Sequence, residues 1–283
     1  MSPLHSNSYA SILLSERNER GEIPLHPYSK WDGAHWVLTM LAELNYPPGD
    51  ITLAPLRDQV YDWLLSEGRE RFWRRVKGQT AVRYCASVDG NAIWYALKLG
   101  LADERTDELA ARIMEIQWSD GGWNCDIKAT GETSSFHETL IPMRALALYA
   151  STTGNATARA VVARAAEVFL SRRLYKRRST GEVIKPSFAT IHFPCYWHYD
   201  FQFGLKVMAE AGFISDPRCA DALDLLESKR LPDGGWPAEA KYYNLTGRAR
   251  SLVNWGPHGK TRRNEFVTAD APSVLQAAGR LND

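Results

Sequence analysis

Cysteine is scarce and scattered in this chain. Cys85, Cys125, Cys195 and Cys219 are the only four, with no CxxC pair among them. That spacing excludes a disulfide framework and a zinc-ribbon pattern, and reduced thiols are expected. No apolar run approaches the roughly 20 residues of a bilayer span, so no transmembrane segment is expected. The first residues, "MSPLHSNSYAS", do not form a signal peptide, and a cytoplasmic protein is expected. Net charge is only +1, so overall charge selects neither nucleic acid nor membrane as a partner. Period-2 alternation is rare, which argues against a β fold.

Apolar and aromatic residues are abundant. The chain is 45% hydrophobic, with ten Trp and twelve Tyr, enough for a sizeable core and for an apolar ligand cavity. Helix-period segments dominate. Those at 33–44, 89–101, 134–150, 197–213 and 264–281 are apolar on most sides and read as buried inner helices. Those at 53–67, 104–118, 156–173 and 216–230, with an early one at 8–19, are amphipathic and read as outer helices. Pro272 lies inside the last inner segment and is expected to kink it or delay its start. "DGGW" occurs at Asp120–Trp123 and again at Asp233–Trp236, each time between an outer and an inner segment. Five hairpins repeating at about 50 residues predict an all-α α/α toroid, taken as one domain over 1–283. Inner-to-outer connections are short. The reverse connections, 68–88, 119–133, 174–196 and 231–263, are long, so all long loops should share the end that holds the inner-helix N-termini.

"QWSDGGW" and "LPDGGW" are similar to the QW-type repeats of terpenoid cyclases. The inner/outer alternation resembles the α/α toroid of squalene cyclases and of protein prenyltransferase β subunits. "SSFHETLIPMRALALY" resembles the helix start that carries the zinc histidine in those β subunits. The nearer likeness is to squalene-cyclase-like bacterial proteins of this length. The resemblance covers nearly the whole chain and implies chemistry on an isoprenoid. Its zinc site would place Asp89 and His137 as ligands, with Asn91 where the family has cysteine. The DxDD motif of proton-initiated cyclases and the DDxxD motif of ionisation-initiated synthases are both absent.

The inner-helix starts hold the chemistry-bearing residues. They are Trp31, His35 and Trp36; then Cys85, Asp89 and Asn91; then Cys125, Ser135, His137 and Glu138; then Cys195, Trp197, His198 and Asp200; then Asn264, Glu265 and Asp270. Ser134, Ser135 and Asp89 also suit helix N-caps, and Trp123 and Trp236 suit packing between hairpins. His137 and His198, with Asp89 and Asp200, suit acid/base catalysis, since a helix N-terminus keeps imidazole neutral. Trp31, His35, Trp36, Arg83, Asn91, Trp94, Cys125, Trp197 and Glu265 are candidates for substrate binding. Cys125, His137, Cys195 and His198 are residue types that zinc accepts, so zinc is a possible cofactor.

Three loop regions carry six bases each: Arg69, Arg71, Arg74, Arg75, Lys77 and Arg83; Arg172, Arg173, Lys176, Arg177, Arg178 and Lys185; and Lys241, Arg248, Arg250, Lys260, Arg262 and Arg263. Together they are more than half of the 34 Lys and Arg. A basic rim over an aromatic cavity suits an amphiphile with an anionic head, such as an isoprenoid diphosphate. The expected partner is therefore a small hydrophobic or anionic molecule. Two other functions fit the same residues: a glycan hydrolase or lyase on the same toroid, and a non-catalytic lipid or ligand binder. "RERFWRRVKG" and "RRLYKRRSTG" interleave aromatics with bases, but no recognised nucleic-acid motif accompanies them. Oligomeric state is left open.

Overall fold

A computed structural model describes residues 3–127 and 133–281. Its α-helices, in chain order, are α1 (Pro3–Leu13), α2 (Ala34–Glu43), α3 (Ala54–Leu64), α4 (Glu67–Val76), α5 (Ala86–Lys98), α6 (Glu104–Glu115), α7 (Phe136–Thr153), α8 (Ala156–Leu170), α9 (Phe201–Glu210), α10 (Ala220–Ser228) and α11 (Glu265–Ala277). Among the described residues there are isolated β-bridges but no named strand. The fold is all-α, as the periodicity predicts.

Burial separates two layers. Every residue from Ala34 to Ala42 of α2 and from Ala86 to Ala96 of α5 is buried. By contrast α6 buries only Thr106, Leu109, Ala110 and Ile113, and it opens with an Asp103–Thr106 capping box. The inner helices pack in the order α2, α5, α7, α9, α11, and α3, α6, α8 and α10 lie against α2, α5, α7 and α9. The first and last parts of the chain then meet. The Tyr9 hydroxyl donates to Glu265 at 2.6 Å, the Trp31 amide donates to the Arg250 carbonyl at 2.7 Å, and Asp32 pairs with Arg250 at 3.1 Å. These contacts close the hairpins into a ring.

The two "DGGW" stretches are one device used twice. In each, the Asp side chain accepts from the second Gly amide, Asp120 from Gly122 and Asp233 from Gly235. The Trp indole donates to a carbonyl ten residues back on the outer helix, Trp123 to Ile113 at 2.9 Å and Trp236 to Leu226 at 2.8 Å. The Trp amide donates to a threonine hydroxyl of the next inner helix, Thr139 or Thr268. Gly121 has φ +101° and Gly234 has φ +84°, which L side chains rarely adopt. Both Trp therefore staple an outer helix to the inner helix that follows it. Gly90 serves a different purpose: an added Cβ there would stand 2.9 Å from the Pro142 nitrogen. Its bare backbone lets the starts of α5 and α7 approach closely.

Several boundaries differ from the sequence expectation. Segment 68–88, expected as loop, contains α4, whose first turn holds Glu67 and Glu70 and whose last turn holds Arg74 and Arg75. That charge order suits the helix dipole, and Trp73 and Val76 supply the buried side. The α5 helix starts at Ala86, so Asp89 lies inside its first turn rather than capping it. Ser135 is the N-cap of α7 but makes no side-chain capping bond, and the Ser134 hydroxyl bonds Asp120 instead. The α11 helix begins at Glu265, well before Pro272, and runs through it without a delayed start. The loop 119–133 lies partly outside the described residues.

A charged cluster ties the inner ring together. Arg144 of α7 is 3% exposed and pairs with Glu43 of α2 and, at 2.6 Å, with Glu210 of α9. Lys206 of α9 bridges Glu43 at 2.9 Å and Asp270 of α11 at 2.8 Å. Trp94 of α5 lies under the Arg144 guanidinium, 3.6 Å from its ring centre. Burial pushes the Glu43 carboxyl up, but the Arg144 and Lys206 charges reverse this and hold it at about 2. Arg144→Met removes the guanidinium and leaves buried carboxylate behind, a change that costs about 3 kcal/mol. The urea midpoint should fall accordingly. An unfolding free energy unchanged within about 0.5 kcal/mol would show that the cluster does not hold the ring.

Candidate functional site

Four of the five inner-helix starts converge. The second carboxylate oxygen of Glu138 on α7 accepts from the Ser87 amide of α5 at 3.0 Å. His137 Nδ1 accepts from the Tyr199 amide at 2.9 Å, just before α9. Trp31, ahead of α2, stacks on Tyr196 at 4.0 Å and meets His198 edge-on at 5.9 Å. The fifth start turns away. Asn264 caps α11, Glu265 takes the Tyr9 hydroxyl, and Asp270 lies deeper, in the charged cluster.

A cavity of about 750 Å³ opens at this end. His137, Glu138, Cys125, Phe136, Phe188 and Trp197 line one part of it, and Arg172, Arg177, Arg178 and Lys185 line another. Asp221 takes the neighbouring Arg173 and Lys176. Among the described residues no carboxylate makes an ion pair with the four cavity bases. A second hollow of about 280 Å³ shares Arg172, Arg177 and Arg178. Asp126 and Glu138 are carboxylates that line the same cavity. In the other two basic clusters, Arg69 pairs with Asp89, Arg71 with Glu67 and Arg250 with Asp32.

An aromatic wall adjoins the cavity. Trp197 stacks on His198 at 4.0 Å, His198 on Tyr242 at 3.5 Å, and Tyr242 on His192 at 4.3 Å. The Lys30 ammonium stands 5.1 Å from the Trp197 ring centre and 5.2 Å from that of Trp31. Burial lowers its pKa.

The two histidines show complementary tautomers. His137 Nδ1 receives a backbone N–H, so the neutral ring carries its proton on Nε2 and offers a donor there. His198 Nδ1 lies 3.1 Å from the Cys195 carbonyl, so it carries the proton and Nε2 keeps a lone pair. Burial, then Lys185, brings His137 down to about 4. Burial, with smaller help from His137 and Lys30, brings His198 down to about 3 against the pull of the Cys195 carbonyl.

The remaining candidates fall into distinct places. Asp89 is buried, accepts from the Tyr84 hydroxyl at 2.7 Å and pairs with Arg69 at 3.0 Å. Burial raises it to about 6 in spite of Arg69. Asp200 is fully buried and committed: it caps α9 through the Phe203 amide at 2.8 Å and accepts from the His192 amide at 2.7 Å and from the Cys195 thiol at 3.5 Å. Trp36 donates to the Tyr28 carbonyl and packs in the core. Trp94 is not at the mouth but in the charged cluster. Arg83 lies over Trp118, 4.5 Å from its ring centre. His35, Asn91, Tyr95 and Gln202 are buried on α2, α5 and α9, and each has a polar side-chain atom without a hydrogen-bond partner. The structure does not gather Cys125, His137, Cys195 and His198 into one ligand set. Among the described residues the only group with metal-ligand proximity is Cys85, Cys125 and Glu138, their donor atoms within 4.8 Å of one another. Cys85 and Glu138 come from different helix starts, and only the α5–α7 approach at Gly90 brings them together. Arg177 and Arg178 come from the second basic loop cluster that the sequence marks as rim, whereas Lys30 and Tyr242 join the site through loop placement that no local sequence pattern signals.

No protein-family model and no curated protein sequence matches this chain. Among solved structures it is similar to forms of the type II terpene cyclase MstE from Scytonema. One variant, in complex with geranylgeranyl dihydroxybenzoate, is 16% identical with a TM-score of 0.30, covering 98% of each chain. A second variant with the same substrate is 17% identical, TM-score 0.32, covering 98% of this chain and 97% of that one. An apo form is 16% identical, TM-score 0.31, with the same coverage.

The lowered histidine pKa values set a pH dependence. An unfolded chain binds protons at these histidines below about pH 6.5, whereas the folded sites refuse them until about pH 3–4. Stability from this source is complete above pH 6.5 and falls as pH is lowered towards 4. Histidine imidazole NMR should place the midpoints of His137 and His198 below 5. Midpoints of 6 to 7 would contradict the neutral, paired-tautomer arrangement.

Proposed function

We propose that this protein is an enzyme acting on an amphiphilic anionic substrate, an isoprenoid carrying a phosphate or diphosphate head. The observation that carries the reading is the cavity wall of Arg172, Arg177, Arg178 and Lys185, free of carboxylate ion pairs among the described residues, beside an aromatic wall. The bases hold the anionic head by charge-assisted hydrogen bonds. Phe136, Phe188 and Trp197 take the apolar chain. Stacked Trp197, His198 and Tyr242 present π faces that stabilise developing positive charge.

Proton transfer in this reading uses the tautomer pair. His198 Nε2 is the base, and His137 Nε2–H is the donor to a developing anion. Asp89, raised towards neutrality, is an acid in the first turn of α5. Asp200 is a positioning residue that fixes the His192–Asp200 loop and so the His198 ring. The basic wall favours this reading over an enzyme of neutral glycans, which give it no charged partner.

The test is direct binding of geranylgeranyl diphosphate and of geranylgeraniol, followed by Trp fluorescence. Exposed Arg177 and Arg178 can be changed without opening the core. Arg177→Ala/Arg178→Ala should weaken the diphosphate about 10- to 100-fold, the loss of one or two charge-assisted bonds. Its affinity for the alcohol should not change. Equal affinity of wild type and variant for the diphosphate would refute the head-group site.

A further inference from the structure

We infer that Cys85, Cys125 and Glu138 form a transition-metal site, with zinc as the fitting ion, set in the wall of the 750 Å³ cavity. Three separate parts of the chain deliver the ligands. Cys85 is the residue before α5, Cys125 follows the first "DGGW" turn, and Glu138 lies in the first turn of α7. Their donor atoms lie within 4.8 Å of one another, and Cys125 Sγ stands 3.3 Å from Glu138 Oε1. Tetrahedral zinc holds two thiolate sulfurs about 3.8 Å apart, from Zn–S bonds near 2.3 Å, so small side-chain rotations close the set.

The surroundings match a metal site. The other carboxylate oxygen of Glu138 is fixed by the Ser87 amide at 3.0 Å, which aims Oε1 at the two sulfurs. Two soft thiolates favour zinc over magnesium or calcium. A disulfide is the competing fate of paired cysteines, and a cytoplasmic setting would disfavour it. Cys125 and Glu138 both line the cavity. The fourth position of a three-ligand site therefore faces the space that holds substrate, the arrangement of catalytic rather than structural zinc. His137, one residue before Glu138, is not a ligand, because its Nδ1 is bonded to the Tyr199 amide. The site is thus distinct from the Asp89/Asn91/His137 set. It stands independently of the proposed substrate.

The experiment uses the full chain, purified untagged under reducing conditions and loaded with zinc or cobalt(II) alone. Elemental analysis should give one zinc per chain. Cobalt(II) should give the thiolate-to-cobalt charge-transfer band of a two-sulfur site. Cys85→Ser and Cys125→Ser should each weaken zinc at least tenfold and reduce the band. Glu138→Gln, which preserves the bond from Ser87, should weaken zinc with the band retained, and His137→Ala should retain both. Circular dichroism melts check that each variant folds. Wild-type protein that binds neither ion, or zinc retained in the folded Cys85→Ser/Cys125→Ser double variant, would overturn the site. So would loss of two of the four free thiols in non-reduced protein with no metal bound, since that places a disulfide between Cys85 and Cys125.

Discussion

The Arg144 guanidinium is the group around which the ring is organised. It reaches two carboxylates on two other inner helices and rests on the Trp94 ring of a third. Lys206 extends the cluster to α11. Burying so many charges succeeds only because each has an opposite partner held in place. All five inner helices are fixed at this level, so their relative heights and rotations are fixed as well. That is what allows residues at their starts to meet in register.

The charged level also divides the interior. On its far side the helix C-termini meet short connections. On the near side the N-termini meet the long loops, and the cavity opens there. Helix N-termini carry partial positive charge, and Arg172, Arg177, Arg178 and Lys185 add to it. Imidazoles in this setting stay neutral, and carboxyls such as Asp89 and Glu138, once buried, are pushed up rather than down. Burial therefore keeps the histidines neutral and raises Asp89 against the opposing pull of Arg69.

The architecture was legible in sequence because helix burial is periodic. The all-round apolar runs became α2, α5, α7, α9 and α11, and the repeated "DGGW" became paired Trp staples. The α4 helix was not legible: its two aromatics are surrounded by arginines, and its buried side is set by tertiary packing. At the site, His137 and His198 could be singled out because each stands at a helix start, and Cys125 because it follows the first "DGGW". Which of them meet could not, because register around a ring is not encoded in local spacing. Cys195 meets Asp200, not Cys125. Cys125 meets Cys85 and Glu138 through the Gly90–Pro142 approach. Trp94 resembles a mouth residue in sequence, yet it sits two turns into α5 and serves Arg144. The histidine tautomers depend on the backbone groups of Tyr199 and Cys195, which carry no sequence signal.

The central claim is that the inner-helix N-terminal end, between the α8–α9 loop and the starts of α5 and α7, is where an anionic amphiphile binds. Hydrogen–deuterium exchange with and without geranylgeranyl diphosphate tests it most directly. The account predicts slowed exchange in 172–199 and in the first turns of α5 and α7, with the charged-cluster level unchanged. Protection confined to the outer helices, or none at saturating ligand, would contradict it.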